Sequence, residues 1–218
     1  MSKTGWIKET IKTERLLLTP LNTKDAGRYI EIANNMWQTK EKNPDYFLYP
    51  RFDYHVVQTR ANLKDAVMGL LTSAEKATSQ EMTMRQNICL KNGIIIGYIG
   101  FLHSPHEENT SDLGIFLDPD YEHHGYAFEA LTALLSYYFL HCDDKIYLTI
   151  HPINLPSYHL NTKCGAIKVA HKNASKYGSE RDILVITREK FLDTVFHKKF
   201  KTVNEMASFF KDYLKSCS

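Results

Sequence analysis

A short apolar segment, a proline turn and a glycine loop lead directly into a helical pattern, and this order constrains the fold most. Residues 115–117 are apolar, and the turn Asp118-Pro119-Asp120 follows them. The loop reads Tyr-Glu-His-His-Gly-Tyr-Ala over residues 121–127, and helical spacing continues to about residue 140. The first amides of a helix lack intrahelical partners, and a glycine lets an anion approach them. The stretch is therefore either a seat for a phosphorylated ligand or an ordinary strand-to-helix turn.

Composition and charge exclude several classes of partner. The chain has 218 residues, with 27 Lys plus Arg against 25 Asp plus Glu, and a formal net charge of +2. This balance gives no electrostatic case for nucleic acid as the main partner. The apolar runs are far shorter than the roughly 20 residues of a membrane span, and residues 1–10 lack the apolar core of a signal peptide. We therefore predict a cytoplasmic protein with no nucleic-acid and no membrane partner.

Strand and helix patterns occur in mixed order along the chain. Predicted strands are residues 13–20, 82–90, 94–102, 112–117, 145–151 and 182–188. Predicted helices are residues 23–34 with Thr23 as cap, 55–73, 126–140, and 157–164 with Gly165 ending the helix. Asn92-Gly93 predicts a hairpin turn, and residues 36–54 are predicted as an irregular, aromatic-rich loop. The order indicates an α+β or α/β domain with a partly antiparallel sheet.

The last segment of the chain has apolar residues at helical spacing and lysines between them. The apolar set is Phe191, Leu192, Val195, Phe196, Val203, Met206, Phe210 and Tyr213. We predict one or two helices, which either pack on the core or form a dimer or partner surface. The predicted division is a domain over residues 1–189 and a helical C-terminal extension over residues 190–218, and a homodimer stays open.

Four segments, in this order and spacing, resemble the GCN5-related N-acetyltransferase (GNAT) superfamily. They are residues 112–117, residues 122–127, Asn154 with Ser157, and residues 163–166 (Lys-Cys-Gly-Ala). The RimJ/RimL-type branch, named for ribosomal-protein N-terminal acetyltransferases, is the closer likeness, because TERLLLTPL at residues 13–21 resembles its first strand. The likeness covers about residues 13–188. It implies an α+β fold with a mixed, largely antiparallel sheet flanked by helices.

The resemblance also implies acetyl-CoA as co-substrate and no metal. The implied acetyl-CoA contacts are Ile115, Phe116 and Leu117 along the pantetheine arm, Glu122, His123, His124, Gly125, Tyr126 and Ala127 at the pyrophosphate, and Asn154 and Ser157 near the pantetheine amides. The loop departs from the family at Glu122, where Gln or Arg is usual. An acidic side chain there does not favour an anion unless it points to solvent.

The implied reaction is acetyl transfer to a primary amine by direct attack on the thioester. Asp112 is the implied base, acting through a water, and its alternative is an exposed edge carboxylate. Ser157 is the implied acid toward the thiolate, and its alternative is a helix cap. Tyr158 is a second candidate acid, and its alternative is packing. An α-amino group, with a pKa near ~8, is neutral at pH 7 more often than a lysine near ~10.4, so Asp112 suits an α-amine slightly better.

Two other functional classes are weighed beside the enzyme. A non-catalytic acyl-CoA-binding or partner-binding protein would keep the same fold, and Glu122 and the short side chain of Asp112 keep this alternative open. A metal site would use His103, His106, His123, His124 and His151, but no Cys or carboxylate stands at the usual zinc spacing to them.

The amine acceptor is a small molecule or a protein N-terminus, and residues 36–54 are expected to form one wall of its pocket.

Overall fold

A computed structural model describes residues 9–44, 46, 63–76, 84–103, 110–173 and 180–216, and these residues contain one eight-stranded sheet. The strands are β1 (Ile11–Lys12), β2 (Leu16–Pro20), β3 (Met84–Leu90), β4 (Ile95–His103), β5 (Ser111–Leu117), β6 (Lys145–Ile150), β7 (Ile167–Lys172) and β8 (Arg181–Thr187). Their spatial order is β1-β2-β3-β4-β5-β6-β8-β7. All neighbours are antiparallel except β5 and β6, which are parallel. The predicted mixed, largely antiparallel sheet is confirmed.

Helices cover both faces of this sheet. They are α1 (Ala26–Lys42), α2 (Leu63–Lys76), α3 (Tyr126–His141), α4 (Leu155–Lys163), α5 (Arg188–Phe196) and α6 (Val203–Ser216). Leu131 and Leu134 of α3 are fully buried in a cluster with Ile99 of β4. On the opposite face, Val67 of α2 packs in a second cluster with Tyr98 of β4. Each fully buried aliphatic side chain stabilises the fold by roughly 1.5–3 kcal/mol, so both faces contribute to the core.

Aromatic rings join α5 and α6 to α3. The ring centroid of Phe139 lies 5.4 Å from that of Phe191 and 6.4 Å from that of Phe210. Phe191 and Phe210 are both fully buried, with centroids 6.2 Å apart. The residues beyond 190 thus form two helices, and both contact the core of this chain. Their separation as an extension after residue 189 stays a prediction.

The first helix is longer than the sequence pattern predicted. Asn22, rather than Thr23, provides the capping side chain, and it accepts from Lys24 N at 2.9 Å in a short 3-10 turn. The helix continues to Lys42 because its apolar stripe extends to the buried Met36. The prediction of an irregular loop is therefore wrong for residues 36–42. Residues 47–54 of that loop, and residues 55–62 of the next predicted helix, lie outside the described residues.

Turns and strands elsewhere follow the local signals closely. Residues 91–93 form the turn between β3 and β4, and Gly93 there has φ +88°. β4 is the fourth of eight strands, which confirms its predicted central place. β7 was not predicted, because it is an edge strand that leaves Ile167 and Val169 more than half exposed. Among the described residues, no helix has the length and apolar character to cross a bilayer.

Candidate active site

A gap opens between the two parallel strands in the middle of the sheet. β5 and β6 pair at a single position, Ser111 opposite Leu148, and the described residues contain no further pair between them. Beyond this pair, β5 runs from Asp112 to Leu117 without further ladder pairing to β6 in the described residues. An unpaired strand edge can hydrogen-bond an extended ligand as if it were another strand. Residues 115–117, predicted to contact the pantetheine arm, lie on this edge.

The glycine loop ends directly at the start of α3. Gly125 precedes the helix with φ +81°, in the left-handed region that favours glycine. The first helical bond runs from Glu129 N to Gly125 O at 3.1 Å, and the N-cap offers no side-chain bond. The amides of Tyr126, Ala127 and Phe128 therefore point out of the helix start with its partial positive charge. This backbone fits the pyrophosphate of acetyl-CoA.

Arg15 lies beside the glycine loop. Its Nη1 donates to His124 O at 2.9 Å, and its guanidinium lies 4.7 Å from the ring centroid of Tyr126. A Cβ placed on Gly125 would lie 3.4 Å from Nη2 of Arg15. The Arg15 side chain is 44% exposed. A partly exposed guanidinium thus stands next to the amides that fit the anion.

Glu129 holds Arg15 in this position. Its carboxylate accepts from Arg15 Nε at 2.6 Å, from Arg15 N at 2.8 Å and from Thr13 Oγ1 at 2.5 Å. Burial opposes ionisation of Glu129, but these hydrogen bonds outweigh it and lower the pKa of the carboxyl. The segment between β1 and β2 is therefore fixed to the first turn of α3.

The two histidines of the loop are exposed and take different conformations. His123 has φ +61°, in the left-handed region that few residues other than glycine adopt. His124 Nδ1 lies 2.6 Å from the carbonyl oxygen of Glu122, so Nδ1 must carry the hydrogen that it donates. Both rings stand beside the predicted phosphate seat.

Glu122, the residue that departs from the family pattern, does not point freely to solvent. Tyr46 donates its hydroxyl hydrogen to Glu122 Oε1 at 2.8 Å. Burial raises the pKa of the Glu122 carboxyl, and the hydrogen bond from Tyr46 partly offsets that rise. The carboxylate is thus half-buried beside the loop, where it opposes anion binding when ionised.

Asp112 lies where β5 and β6 begin to separate. Its side chain is buried, in contrast to the exposed edge carboxylate weighed above. Thr149 of β6 donates its hydroxyl hydrogen to Asp112 Oδ1 across the two strands. The carboxylate therefore has a defined orientation beside the gap, which a candidate base requires.

The helix α4 begins shortly after β6, with only residues 151–154 between them. Asn154 is its N-cap and accepts from Ser157 N at 3.2 Å, so the capping role weighed for Ser157 belongs to Asn154. Ser157 Oγ accepts from Asn161 Nδ2 at 3.4 Å. Gly165 follows α4 with φ +88°, which confirms the predicted helix end.

Tyr158 is engaged in a charged cluster around Asp182. Its hydroxyl donates to Asp182 Oδ2 at 2.8 Å, while Lys168 Nζ and His171 Nδ1 each lie 2.7 Å from Oδ1. Burial and the hydrogen bond to Asp182 raise the pKa of Tyr158 to about 12. Tyr158 therefore keeps its phenol proton at neutral pH and donates it in the hydrogen bond to Asp182.

Sequence reasoning missed four residues at this site, Arg15, Tyr46, Thr149 and Asp182. Each is brought to the site by long-range strand or helix packing, and no local sequence pattern indicates that these residues lie there. Of the histidines weighed for a metal site, His106 lies outside the described residues. Within the described part of the chain, no three His, Cys, Asp or Glu side chains are placed to hold a metal ion.

Comparison with known proteins supplies the family. The profile of the acetyltransferase (GNAT) domain matches residues 15–167. YnaD of Bacillus subtilis (strain 168), described as an uncharacterized N-acetyltransferase, is 34% identical over 92 residues. That alignment covers 42% of this chain and 51% of YnaD, so the chain matches about half the length of this relative.

Solved structures share the fold. Mycobacterium smegmatis RimJ in complex with CoA-disulfide has a TM-score of 0.63 and 18% identity, over 88% of this chain and 93% of its own. An acetyltransferase of the GNAT family from Bacillus anthracis has a TM-score of 0.58 and 22% identity, over 82% of this chain and 98% of its own. The predicted enzyme class and its co-substrate, acetyl-CoA, are those of the matched family. Since the family profile covers more than half of its residues, this chain belongs to the GNAT acetyltransferase family.

Proposed function

We propose that this chain transfers an acetyl group from acetyl-CoA to a primary amine by direct attack on the thioester. The observation that carries the proposal is the single-position pairing of β5 and β6 next to the left-handed Gly125 turn. The single pairing of β5 and β6 leaves an extended strand edge, and the Gly125 turn leaves a cluster of amides at the start of α3. Together they match the two parts of a CoA molecule, an extended amide-containing arm and a pyrophosphate.

Different segments of the chain bind different parts of acetyl-CoA. The edge of β5 over residues 115–117 holds the pantetheine arm, and Asn154 offers its amide hydrogens to it. The amides of residues 123–127 hold the pyrophosphate, with Arg15 adding positive charge. Bound acetyl-CoA supplies the activated acetyl thioester.

Proton transfer is assigned to Asp112 and Ser157. Asp112, oriented by Thr149, takes the proton that the amine loses, through a water. Ser157 gives a proton to the departing thiolate, and its oxygen already accepts from Asn161, which leaves its own hydrogen to donate. The contact between Tyr158 and Asp182 favours Ser157 over Tyr158, because the phenol hydrogen is already donated.

We expect the acceptor to be one of the kinds of amine that enzymes of the RimJ/RimL-type branch acetylate. Among the matched structures are RimL, a ribosomal L7/L12 alpha-N-protein acetyltransferase, and a spermidine N-acetyltransferase from Vibrio cholerae. Their identities to this chain are 14% and 17%, so they do not choose an acceptor. We place the chain in this branch and propose a protein N-terminus or a small-molecule amine as acceptor.

The test is an acetyl-transfer assay read by mass spectrometry of the products. Peptides with free N-termini, amino acids and polyamines are each incubated with acetyl-CoA. Asp112→Asn is expected to lower kcat by about 10²-fold or more while the Kd for acetyl-CoA stays the same. The matched control Asp212→Asn, on the exposed side of α6, keeps the parent rate.

An unchanged kcat in Asp112→Asn would remove Asp112 from the mechanism. Tight acetyl-CoA binding with no product from any amine would favour the non-catalytic acyl-CoA-binding alternative, which Glu122 beside the loop keeps in view.

A further inference from the structure

Two glycines stand side by side in the centre of the sheet and leave room for a neighbouring side chain. Gly100 of β4 is directly opposite Gly114 of β5. The side chain of Tyr98 occupies this room, since a Cβ on Gly100 would lie 2.8 Å from its hydroxyl and a Cβ on Gly114 would lie 3.1 Å from its ring. Its ring stacks on Phe116 with centroids 5.4 Å apart. The ring and hydroxyl of Tyr98 therefore lie over the two glycines, and Gly100, Gly114 and Tyr98 together are called the floor below.

Two buried hydrogen-bond donors at this floor have no partner among the described residues. One is the hydroxyl of Tyr98, whose side chain is 3% exposed, and the other is Nε of Arg85. Arg85 is opposite Gly100 in the sheet, and its Nη1 donates to Ser73 of α2 at 2.7 Å. Buried polar groups in native proteins nearly always have partners, so an unpartnered pair indicates a ligand that supplies them.

The charge of Arg85 reaches the hydroxyl of Tyr98. Burial raises the pKa of Tyr98 to about 12, and the positive charge of Arg85 opposes that rise. The phenol is therefore protonated at neutral pH and donates its hydrogen. A guanidinium N–H and a phenol O–H together suit an anionic oxygen, and a carboxylate accepts from both.

The candidate base lies on the same face of the sheet. Residues directly opposite each other in neighbouring antiparallel strands share a face. Leu102 is opposite Asp112 and follows Gly100 by two positions, so Asp112 shares the face of Tyr98 and Arg85. Strands about 4.8 Å apart and residues about 3.4 Å apart place the backbones of Arg85 and Asp112 roughly 12 Å from each other.

We propose that Tyr98 and Arg85 bind a carboxylate of the acceptor, so that the acceptor is an amine that also carries a carboxylate. This inference rests on the proposed acetyl transfer at Asp112. With the carboxylate at Arg85, the amine of the same molecule lies toward Asp112. Polyamines are disfavoured, because they place a positive charge beside Arg85 and leave both donors unpartnered.

The experiment compares amines that differ only in the carboxylate. The pairs are phenylalanine against phenethylamine and leucine against 3-methylbutylamine, with a C-terminally amidated Asp-initiated peptide against its Asn-initiated form as the test for protein N-termini. Acetylated product is measured by mass spectrometry, and acceptor binding is measured by calorimetry in the presence of CoA. At least one carboxylate-bearing amine is expected to be acetylated with a kcat/KM at least about tenfold above that of its partner.

Two variants test whether Tyr98 and Arg85 cause the preference for carboxylate-bearing amines. Tyr98→Phe and Arg85→Gln are each expected to raise the KM for the carboxylate-bearing amine at least about tenfold. Both are expected to leave the Kd for acetyl-CoA unchanged. Tyr137→Phe, on the opposite side of the sheet, and Lys172→Gln, on the edge strand β7, are the matched controls.

Failure of this inference is distinct from failure of acetyl transfer itself. Equal kcat/KM values within every pair, or an unchanged KM in Tyr98→Phe, would overturn carboxylate recognition while acetyl transfer stands. Acetyl-CoA binding without product from any amine would overturn the enzyme, and calorimetry would then still report whether the floor binds the carboxylates. Tyr98→Phe removes only one hydroxyl. It therefore still tests carboxylate recognition if Arg85→Gln does not fold.

Discussion

Arg15 Nε lies 2.6 Å from Oε2 of Glu129, and this ion pair joins the segment before β2 to the first turn of α3. The same guanidinium donates to His124 O inside the glycine loop. An ion pair between two residues 114 positions apart thus holds the guanidinium against the loop that fits the pyrophosphate. The binding geometry of the loop therefore depends on a residue outside it.

Arg15→Gln is expected to weaken acetyl-CoA binding about tenfold or more. The change removes a partly exposed positive charge beside the helix-start amides and releases the carbonyl of His124. Calorimetric titration with acetyl-CoA measures the loss. The matched control is Arg188→Gln, on α5, which should bind acetyl-CoA as the parent does. A parent-like Kd in Arg15→Gln would show that the loop needs no support from this side chain.

Glu122→Gln is expected to tighten acetyl-CoA binding several-fold. An ionised Glu122 beside a bound phosphate would weaken phosphate binding by a repulsion on the order of 1 kcal/mol. The amide keeps an acceptor for Tyr46 but loses the charge. Because burial raises the pKa of this carboxyl, the gain should be largest at high pH and should shrink as pH falls through the raised folded value. Equal Kd values for parent and variant at pH 8 would contradict an electrostatic effect of Glu122.

Asp182→Asn is expected to lower the free energy of unfolding by about 1–3 kcal/mol at pH 7, because it removes a buried charge that accepts from Tyr158, Lys168 and His171. Burial raises the pKa of Asp182, but its three hydrogen bonds outweigh burial and leave the folded pKa lowered. Its stabilisation is therefore present above the ordinary Asp value of about 3.9 and is lost as pH falls through the lowered folded value.

Urea unfolding of parent and Asp182→Asn at several pH values measures this difference. The two curves should converge below about pH 4. A constant difference between pH 7 and pH 3 would show that the charge of Asp182 does not stabilise the fold.

Phe210→Ala is expected to destabilise the chain by about 3–5 kcal/mol, because its fully buried ring contacts Phe139 and Phe191. Val203→Ala, at the exposed start of the same helix, should change stability by less than about 0.5 kcal/mol. Thermal unfolding compares the two. Equal small effects would mean that the helices after residue 190 form a separable extension.

Local sequence signals predicted the elements that depend on neighbouring residues. The Gly125 loop, the Asn92-Gly93 turn and the Gly165 helix end were each predicted because a turn or cap is decided within a few residues. Residues 36–42 were wrongly predicted as loop, since the Asn, Pro, Asp and aromatic content of the whole stretch 36–54 outweighed a stripe that ends at the buried Met36.

Contacts between distant segments could not be predicted in this way. The bond from Thr149 to Asp112 depends on the parallel register of β5 and β6, and the bond from Tyr158 to Asp182 depends on where α4 meets β8. The unpartnered donors at Arg85 and Tyr98 depend on two glycines meeting across neighbouring strands. None of these contacts leaves a periodic signal in the chain. The sequence position of Asp112 therefore indicated a candidate base, but the residues around it could not be predicted.

The most direct measurement of the central claim is calorimetric titration of the parent chain and of Gly125→Glu with acetyl-CoA. The parent should bind one acetyl-CoA per chain. Gly125→Glu should lose that binding, because a side chain at φ +81° is strained and its charge repels the pyrophosphate. A folded Gly125→Glu variant that binds acetyl-CoA with the Kd of the parent would contradict the assignment of the glycine loop as the pyrophosphate seat.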